Sequence, residues 1–303
     1  MNPPPDTHSM DQESQSDKAV AYFEEHTEGL YMSGWNPDHI HWGLFEPDEC
    51  PAYNEKLANS KGLARALVRM VEAIVEPANI QARHHVVDAG CGVGGTAIHL
   101  AKTRRCRVTG INLTPAQLEL AAEKASNEGV ADRVSFERAD CSKSLPFADG
   151  SVDAVVNIES ACHYDNRDRF LREVSRILKP SGKLAASDWM VPDGLGREKY
   201  ARWVSPMCEA WALSSALESP STYREKLRSA GFEVMEFADF DGKDADNLRL
   251  LEDGHRLLAV ARFYGFEFPG KEKLIDQIRT LRDAWRNGSY ELNRYYAVKR
   301  PSA

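Results

Sequence analysis

Residues that could do chemistry are concentrated in two short segments. In the first, HVVDAGCGVGG, Asp88 precedes Gly90, Gly92 and Gly94, and a helical pattern follows directly. Glycines let the backbone pass close to a ligand, and the first N–H groups of a helix lack partners within the helix. The Asp88 carboxylate could meet a cationic amino-acid group, so this segment predicts a turn that binds a small ligand.

The second segment, NIESACHYDN, presents Glu159, His163 and Tyr164 close together. It follows a strand pattern, which places it at the carboxyl edge of a sheet, where open α/β sheets bind ligands. Glu159 or His163 could remove a proton from a phenol, an amine or a carbocation, and Glu159 could equally stabilise a developing cation. We therefore predict Glu159 and His163 as catalytic residues and Tyr164 as a contact of the substrate.

The glycine spacing alone does not decide which kind of ligand the turn binds. Gly90, Gly92 and Gly95 also satisfy the dinucleotide pattern G-x-G-x-x-G. That reading needs an acid about 20 residues later to bind the ribose diol. The corresponding position holds Asn112, which disfavours a dinucleotide, and a nicotinamide-dependent oxidoreductase stays as a distant alternative.

The elements around these segments alternate between strand and helix patterns. From about 84 to 190, short apolar runs are separated by helical patterns, which indicates βαβ units. We expect a Rossmann-like α/β domain with a seven-stranded, mostly parallel sheet, helices on both faces, a helical N-terminal lid and helical cap insertions. The predicted boundaries are a disordered tail at 1–17, one domain at 18–303 with its core at 58–190, 231–240 and 291–299, and a cap at 191–230 and 244–287.

Composition limits the classes of partner. The 303 residues contain 38 Lys and Arg against 46 Asp and Glu, a formal charge of −8, which disfavours a nucleic-acid surface. No apolar run reaches the roughly 18–20 residues that span a bilayer, and the N-terminus lacks a secretion signal, so we expect a cytoplasmic protein without stable membrane insertion. The six cysteines show no C-x-x-C pair, and no ligand spacing predicts a metal.

Four ordered segments resemble the class I S-adenosylmethionine-dependent methyltransferases. They are VVDAGCGVGG, GINLTPAQL, RADCSKSLPFADGSVDAVV and LREVSRILKPSGKLAASDW. The resemblance implies S-adenosyl-L-methionine as cofactor, with Asp140 on the adenine amino group; Asn112 departs from the acid usual at the ribose position. The cofactor contacts implied by the resemblance are Tyr31, Trp42, Gly43, Asp88, Gly90, Gly92, Gly94, Asn112, Leu113, Gln117, Asp140, Cys141 and Asn157.

Three further segments narrow the resemblance. GINLTPAQ, GWNPDHIHWGLF and the ending AWRNGSYELNRYYAVKR are similar to the subgroup of fatty-acid cyclopropane synthases, tocopherol methyltransferases and terpenoid C-methyltransferases. A small-molecule acceptor follows from this, and we predict Tyr164, Trp189, Trp203 and Met207 as its contacts.

The kind of acceptor stays open. It is either a prenyl or lipid double bond methylated at carbon, with Glu159 as base or cation stabiliser, or a nitrogen or oxygen of a specialised metabolite. Mg²⁺ is expected only for a diphosphate acceptor. A protein that keeps the cofactor pocket without catalysis, and a homo-oligomer, are also compatible with the sequence.

Overall fold

The computed structural model describes residues 14–27, 36–46, 61–240 and 271–301. The α-helices of this part are α1 Gln15–Thr27, α2 Lys61–Val75, α3 Gly95–Arg104, α4 Pro115–Asn127, α5 Arg167–Ile177, α6 Arg197–Lys199, α7 Ser205–Ala210, α8 Pro220–Ser229 and α9 Lys271–Arg286. The strands are β1 His85–Ala89, β2 Arg107–Asn112, β3 Val134–Arg138, β4 Val152–Ile158, β5 Leu178–Met190, β6 Phe232–Asp239 and β7 Glu291–Lys299. Tyr31 and the stretch 244–270 of the predicted cap lie outside the described residues.

The strands form one seven-stranded sheet in the order β3-β2-β1-β4-β5-β7-β6. Neighbouring strands from β3 to β5 are parallel, and β7 runs antiparallel to both β5 and β6. Parallel strands need crossover connections, which helices supply here. The predicted Rossmann-like fold with a seven-stranded, mostly parallel sheet is confirmed.

Alternation along the strands divides the core into two layers, one on each face of the sheet. Val86 packs in the cluster that holds Met70 of α2, whereas the next residue, Val87, packs in the cluster that holds Phe170 of α5. Successive strand residues point to opposite faces, so both faces are covered by helices. Within the described residues, no helix has the length and apolar character required to cross a membrane.

Two predicted boundaries need correction. Helix α1 begins at Gln15, so the predicted tail at 1–17 extends three residues too far. The predicted cap also extends too far, because α8 packs on the sheet: Tyr223 and Leu227 are fully buried in the same core layer as Phe170. These two side chains are four residues apart and therefore lie on one helix face. Within the described residues the cap consists of residues 191–219, which include α6 and α7, and of α9.

The join between α5 and β5 also differs from the prediction. The sequence predicts Lys179 to Gly182 as the turn that closes the preceding helix, but α5 ends at Ile177 and the four residues bulge from β5 instead. Val152 pairs with Leu178, whereas Ala154 pairs with Lys183. The bulge therefore projects at the amino end of the sheet, opposite to the edge where β1 and β4 end.

Candidate active site

The glycine turn connects β1 to α3 at the carboxyl edge of the sheet. Gly90, Gly92 and Gly94 have φ angles of +81°, +53° and +83°, a region that L-residues with side chains rarely adopt. A Cβ at Gly90 would overlap the hydroxyl of Ser160. The N–H groups of Gly90 and Cys91 both donate to Ile111 O, at 2.8 and 3.0 Å. The turn is therefore held against β2, and its backbone is left without side chains where a ligand would approach.

Asp88 lies just before this turn and is 2% exposed. Its Oδ2 has no hydrogen-bond partner in the described part of the chain. Burial raises the pKa of the carboxyl to about 7, against a hydrogen bond from the Ala97 backbone that lowers it. A buried acceptor without a partner is costly, so this carboxylate fits the ammonium group of an amino-acid ligand such as the methionine portion of the predicted cofactor.

The amide of Asn112 fastens the end of β2 to the turn. Its Nδ2 donates to Gly92 O at 3.3 Å and to Gln117 Oε1 at 2.7 Å, and its Oδ1 accepts from Leu113 N at 2.8 Å. Both amide hydrogens are thus engaged, and Oδ1 keeps one further lone pair. The predicted ribose contact of Asn112 stays a prediction, limited to accepting a hydrogen bond.

Asp140 follows β3 and is already held by several donors. Ser142 donates to Oδ1 through its backbone at 2.9 Å and its hydroxyl at 2.7 Å, and Ser16 of α1 donates to Oδ2 at 2.8 Å. Burial acts to raise the pKa of Asp140, but these hydrogen bonds outweigh it and hold the pKa below its usual value. Asp140 is thus ionised at neutral pH, and its carboxylate, the predicted contact of the adenine amino group, also binds the N-terminal helix through Oδ2.

Helix α1 lies across this edge of the sheet and is fixed at both ends. At its start, Gln15 donates to Ala212 O at 2.7 Å. At its end, the hydroxyl of Thr27 accepts from Gln117 Nε2 at 3.0 Å. Its Phe23 ring meets the His163 ring edge-on, with centroids 5.2 Å apart. The predicted N-terminal lid is therefore a helix that bridges α4 and the part of the cap that follows α7.

Three predicted site residues lie behind the glycine turn. Asn157 is fully buried, and its Nδ2 donates to Ala89 O at 2.7 Å and to the Tyr164 hydroxyl at 3.3 Å. That hydroxyl also bonds Ser160 at 2.9 Å and contacts Cys141. Burial raises the pKa of the Cys141 thiol to about 12, so it is a neutral thiol. The group supports the turn, and the acceptor contact predicted for Tyr164 stays a prediction.

Glu159 has an unusual backbone and a tightly bound side chain. Its φ is +48°, a left-handed conformation that is uncommon and costly for a non-glycine residue. Oε1 accepts from the backbone N–H of Trp42 at 2.9 Å, and Oε2 accepts from the indole N–H of Trp189 at 2.7 Å. With the residue 9% exposed, its carboxyl group is buried and is held in one orientation by these two donors.

Aromatic rings pack around the two donors to Glu159, Trp42 and Trp189. Trp42 and Trp189 lie 6.2 Å apart between ring centroids, and Trp42 donates through its indole to the Tyr290 hydroxyl at 2.8 Å. Trp285 meets Trp42 edge-on at 5.2 Å, and Trp211 meets Trp189 edge-on at 5.7 Å. The sequence prediction missed Trp285 and Tyr290, because these two residues flank a turn far along the chain and no local pattern links them to Glu159.

His163 is oriented by the cap. Its Nδ1 lies 3.0 Å from Ala212 O, and because a carbonyl only accepts, Nδ1 carries the proton. Burial lowers the pKa of His163 to about 4, against the Ala212 hydrogen bond that raises it. At neutral pH the ring is therefore uncharged, and Nε2 holds the lone pair.

The other predicted acceptor contacts differ in exposure. Met207 of α7 is fully buried in the core layer that includes Trp42 and Trp189. Trp203 is partly exposed and lies under the Arg202 guanidinium, 4.8 Å from the ring centroid. The predicted lid residue Gly43 packs on α2, where a Cβ would lie 2.9 Å from that of Ala66.

The family comparison matches residues 87–186 to a methyltransferase domain. Methyltransferase GfsG of Streptomyces halstedii is 36% identical over 202 residues, which cover 67% of this chain and 68% of that protein. O-methyltransferase resE of Aspergillus sclerotiorum is 32% identical and covers 65% of this chain and 71% of that protein. The chloroplastic tocopherol O-methyltransferase of Arabidopsis thaliana is 30% identical over 74% of this chain and 65% of that protein.

Solved structures show the same architecture. The [4+2]-cyclase SpnF aligns with a TM-score of 0.75 at 23% identity, covering 95% of this chain and 98% of that chain. Geranyl diphosphate C-methyltransferase from Streptomyces coelicolor A3(2), in complex with Mg²⁺, geranyl diphosphate and S-adenosyl-L-homocysteine, aligns with a TM-score of 0.74 at 20% identity, covering 94% and 98%. At these identities the likeness extends to the fold alone.

Proposed function

Since the chain belongs to the S-adenosylmethionine-dependent methyltransferases, we propose that it methylates a hydroxyl group of a specialised small molecule, with His163 as the base. The family, the cofactor and a small-molecule acceptor, all expected from the sequence, are confirmed. The nicotinamide-dependent alternative is thereby set aside. Methylation at oxygen, as opposed to nitrogen or carbon, is the further part of the proposal.

The orientation of His163 carries this proposal. A hydroxyl acceptor must lose a proton as the new bond forms, so a positioned lone pair is required. The bond from Nδ1 to Ala212 O fixes the tautomer and leaves the lone pair on Nε2. Glu159, by contrast, already accepts from Trp42 and Trp189 on its two oxygens. Several relatives with O-methyltransferase names support the same reading.

Each group of residues has its own role in the proposed methyl transfer. Asp88 and the glycine turn would hold the methionine portion of the cofactor, whose sulfonium supplies an electrophilic methyl group. His163 takes the hydroxyl proton on Nε2. The lid helix and the aromatic rings exclude water, and positioning of the acceptor contributes much of the rate. The carboxyl group of Glu159 is held in a fixed orientation by Trp42 and Trp189.

A labelled-methyl assay tests this function. The protein is incubated with methyl-labelled S-adenosylmethionine and matched acceptors: phenols and sugar hydroxyls, amines, and a prenyl diphosphate with Mg²⁺. We expect label on oxygen, and a loss of about 100-fold or more in kcat for His163→Ala with unchanged S-adenosylhomocysteine affinity. Because the pKa of His163 lies at about 4, kcat should show no imidazole titration between about pH 6 and about pH 8.

One observation favours C-methylation as a second candidate. A buried carboxylate among four indole rings suits a carbocation, which aromatic faces and a negative charge both stabilise. In that case the label appears on the carbon of the prenyl acceptor, Glu159→Gln abolishes turnover, and His163→Ala does not. This result would contradict O-methylation. The cytoplasmic location and the homo-oligomer stay predictions.

A further inference from the structure

A cavity lies at the amino edge of the sheet, opposite to the candidate methyl-transfer site. We call it the basal cleft. It has a volume of about 210 Å³ and is lined by Arg83, His84, Asp153, Lys179, Ser181 and Lys183, among others. It forms where β1 and β4 begin and where the 179–182 bulge leaves β5. Strand β1, whose other end carries Asp88, separates it from the active site.

The charges in the basal cleft are unbalanced. Three cations, Arg83, Lys179 and Lys183, face a single carboxylate, Asp153, which leaves a local excess of two positive charges on a chain whose formal charge is −8. The carboxylate is itself engaged: it accepts from the His85 backbone at 2.8 Å and from Lys179 at 2.7 Å. It therefore neutralises little beyond Lys179.

Backbone groups hold Lys183 and His84 in place at this cleft. Lys183 donates to Ala78 O at 2.6 Å, and an ammonium has two further hydrogens to offer. The backbone N–H of Gln81 donates to Nδ1 of His84 at 3.1 Å, so the proton of the neutral His84 ring lies on Nε2. The cleft thus combines an imidazole N–H, a guanidinium and two ammonium groups, all of them donors.

We propose that the basal cleft binds a phosphate-type oxyanion. A tetrahedral dianion offers more acceptor oxygens than a carboxylate, and its charge equals the local excess of the cleft. Guanidinium and ammonium groups are the side chains that bind phosphate. The oxyanion comes either from inorganic phosphate or from the phosphate of a small metabolite. Binding at this edge leaves the carboxyl edge, and hence the cofactor, undisturbed.

The electrostatic surroundings of His84 make it a reporter. Burial lowers its pKa; Asp153 raises it, and Arg83, Lys183 and Lys179 lower it. An anion among these cations should reverse their effect. We therefore expect the pKa of His84 to rise when inorganic phosphate is added to the full chain at constant ionic strength, followed by NMR of the imidazole signals, with His84→Gln providing the assignment.

Substitutions distinguish a specific phosphate site from non-specific screening of the charges by salt. Arg83→Gln combined with Lys183→Gln should weaken phosphate binding at least about tenfold, whereas Lys199→Gln, on α6 and away from the cleft, should not. Calorimetry with S-adenosylhomocysteine should give the same affinity with and without phosphate. Circular dichroism verifies that the double variant is folded.

Each outcome of these experiments either supports or overturns phosphate binding in the basal cleft. Saturable phosphate shifts that weaken only in the double variant support the site. Glycerol 3-phosphate binding more tightly than inorganic phosphate identifies an organic phosphate as the ligand, and equal or weaker binding identifies inorganic phosphate. Shifts that do not saturate, or that are equal in the double variant and in Lys199→Gln, overturn the proposal. None of these results depends on the acceptor of the methyl group.

Discussion

Cofactor binding should be coupled to the ionisation of Asp88. In the unliganded protein its carboxyl is buried, with a pKa of about 7 and one oxygen without a partner in the described residues. The ammonium of S-adenosylhomocysteine needs the ionised form, so binding displaces a proton wherever the carboxyl is still protonated. Since the pKa is raised, this requirement weakens binding as the pH falls below about 7.

The magnitude follows from that pKa. Well below the pKa, each pH unit costs about 1.4 kcal/mol, or a factor of ten in affinity. Between about pH 7.5 and about pH 5.5 the dissociation constant of S-adenosylhomocysteine should therefore rise about 25-fold. Calorimetry in buffers of different ionisation enthalpy measures both the affinity and the protons released. Asp88→Asn should bind weakly at every pH.

A matched control uses Asp188, another buried carboxyl whose pKa is raised. Burial raises the pKa of Asp188 to about 6, and its Oδ1 accepts from the backbone N–H groups of Cys162 and Trp189. Asp188→Asn should keep the pH dependence, whereas Asp88→Asn should remove it. An affinity that is flat across this range in the wild type, or a pH dependence that survives in Asp88→Asn, would refute the reasoning.

Three further substitutions test individual contacts. Gly90→Ala should lower the free energy of unfolding by about 1–3 kcal/mol in denaturant titration, because its φ is +81° and the new Cβ overlaps a serine hydroxyl. Trp189→Phe should lower it by about 1.5–3 kcal/mol, since it removes the 2.7 Å bond to the Glu159 carboxylate. Thr27→Val removes the hydrogen bond from Gln117. Loss of this bond, worth about 1 kcal/mol, should speed the release of S-adenosylhomocysteine about fivefold, as measured by stopped flow.

Each substitution has a control of the same kind. Gly150→Ala has a similar φ of +61° but nothing within 4 Å of the new Cβ, so it should cost less than Gly90→Ala. Trp203→Phe removes an indole from a partly exposed position, and Thr103→Val removes a hydroxyl that bonds a helix carbonyl at 2.8 Å away from the lid. Equal effects within any pair would contradict the contact assigned.

The glycine turn was predictable because its signal is local. Asp88 and the three glycines lie within seven consecutive residues, so their strand, turn and helix are fixed by neighbours in the chain. The same holds for β7, predicted at 291–299 and found at Glu291–Lys299. The bulge at 179–182 was missed, because the register between β4 and β5 decides it and a Pro-Ser-Gly pattern reads equally as a helix end.

The sequence by itself therefore determined the fold class, the cofactor family and the edge of the sheet that carries the chemistry. Only the tertiary structure decided what surrounds Glu159, whose partners Trp42 and Trp189 are 117 and 30 residues away. It likewise decided the tautomer of His163, set by Ala212 from the cap, and the collection of cations in the basal cleft. Hydrophobic periodicity reports which face of an element is buried. The distance between side chains on different elements depends on how those elements pack, which no local pattern encodes.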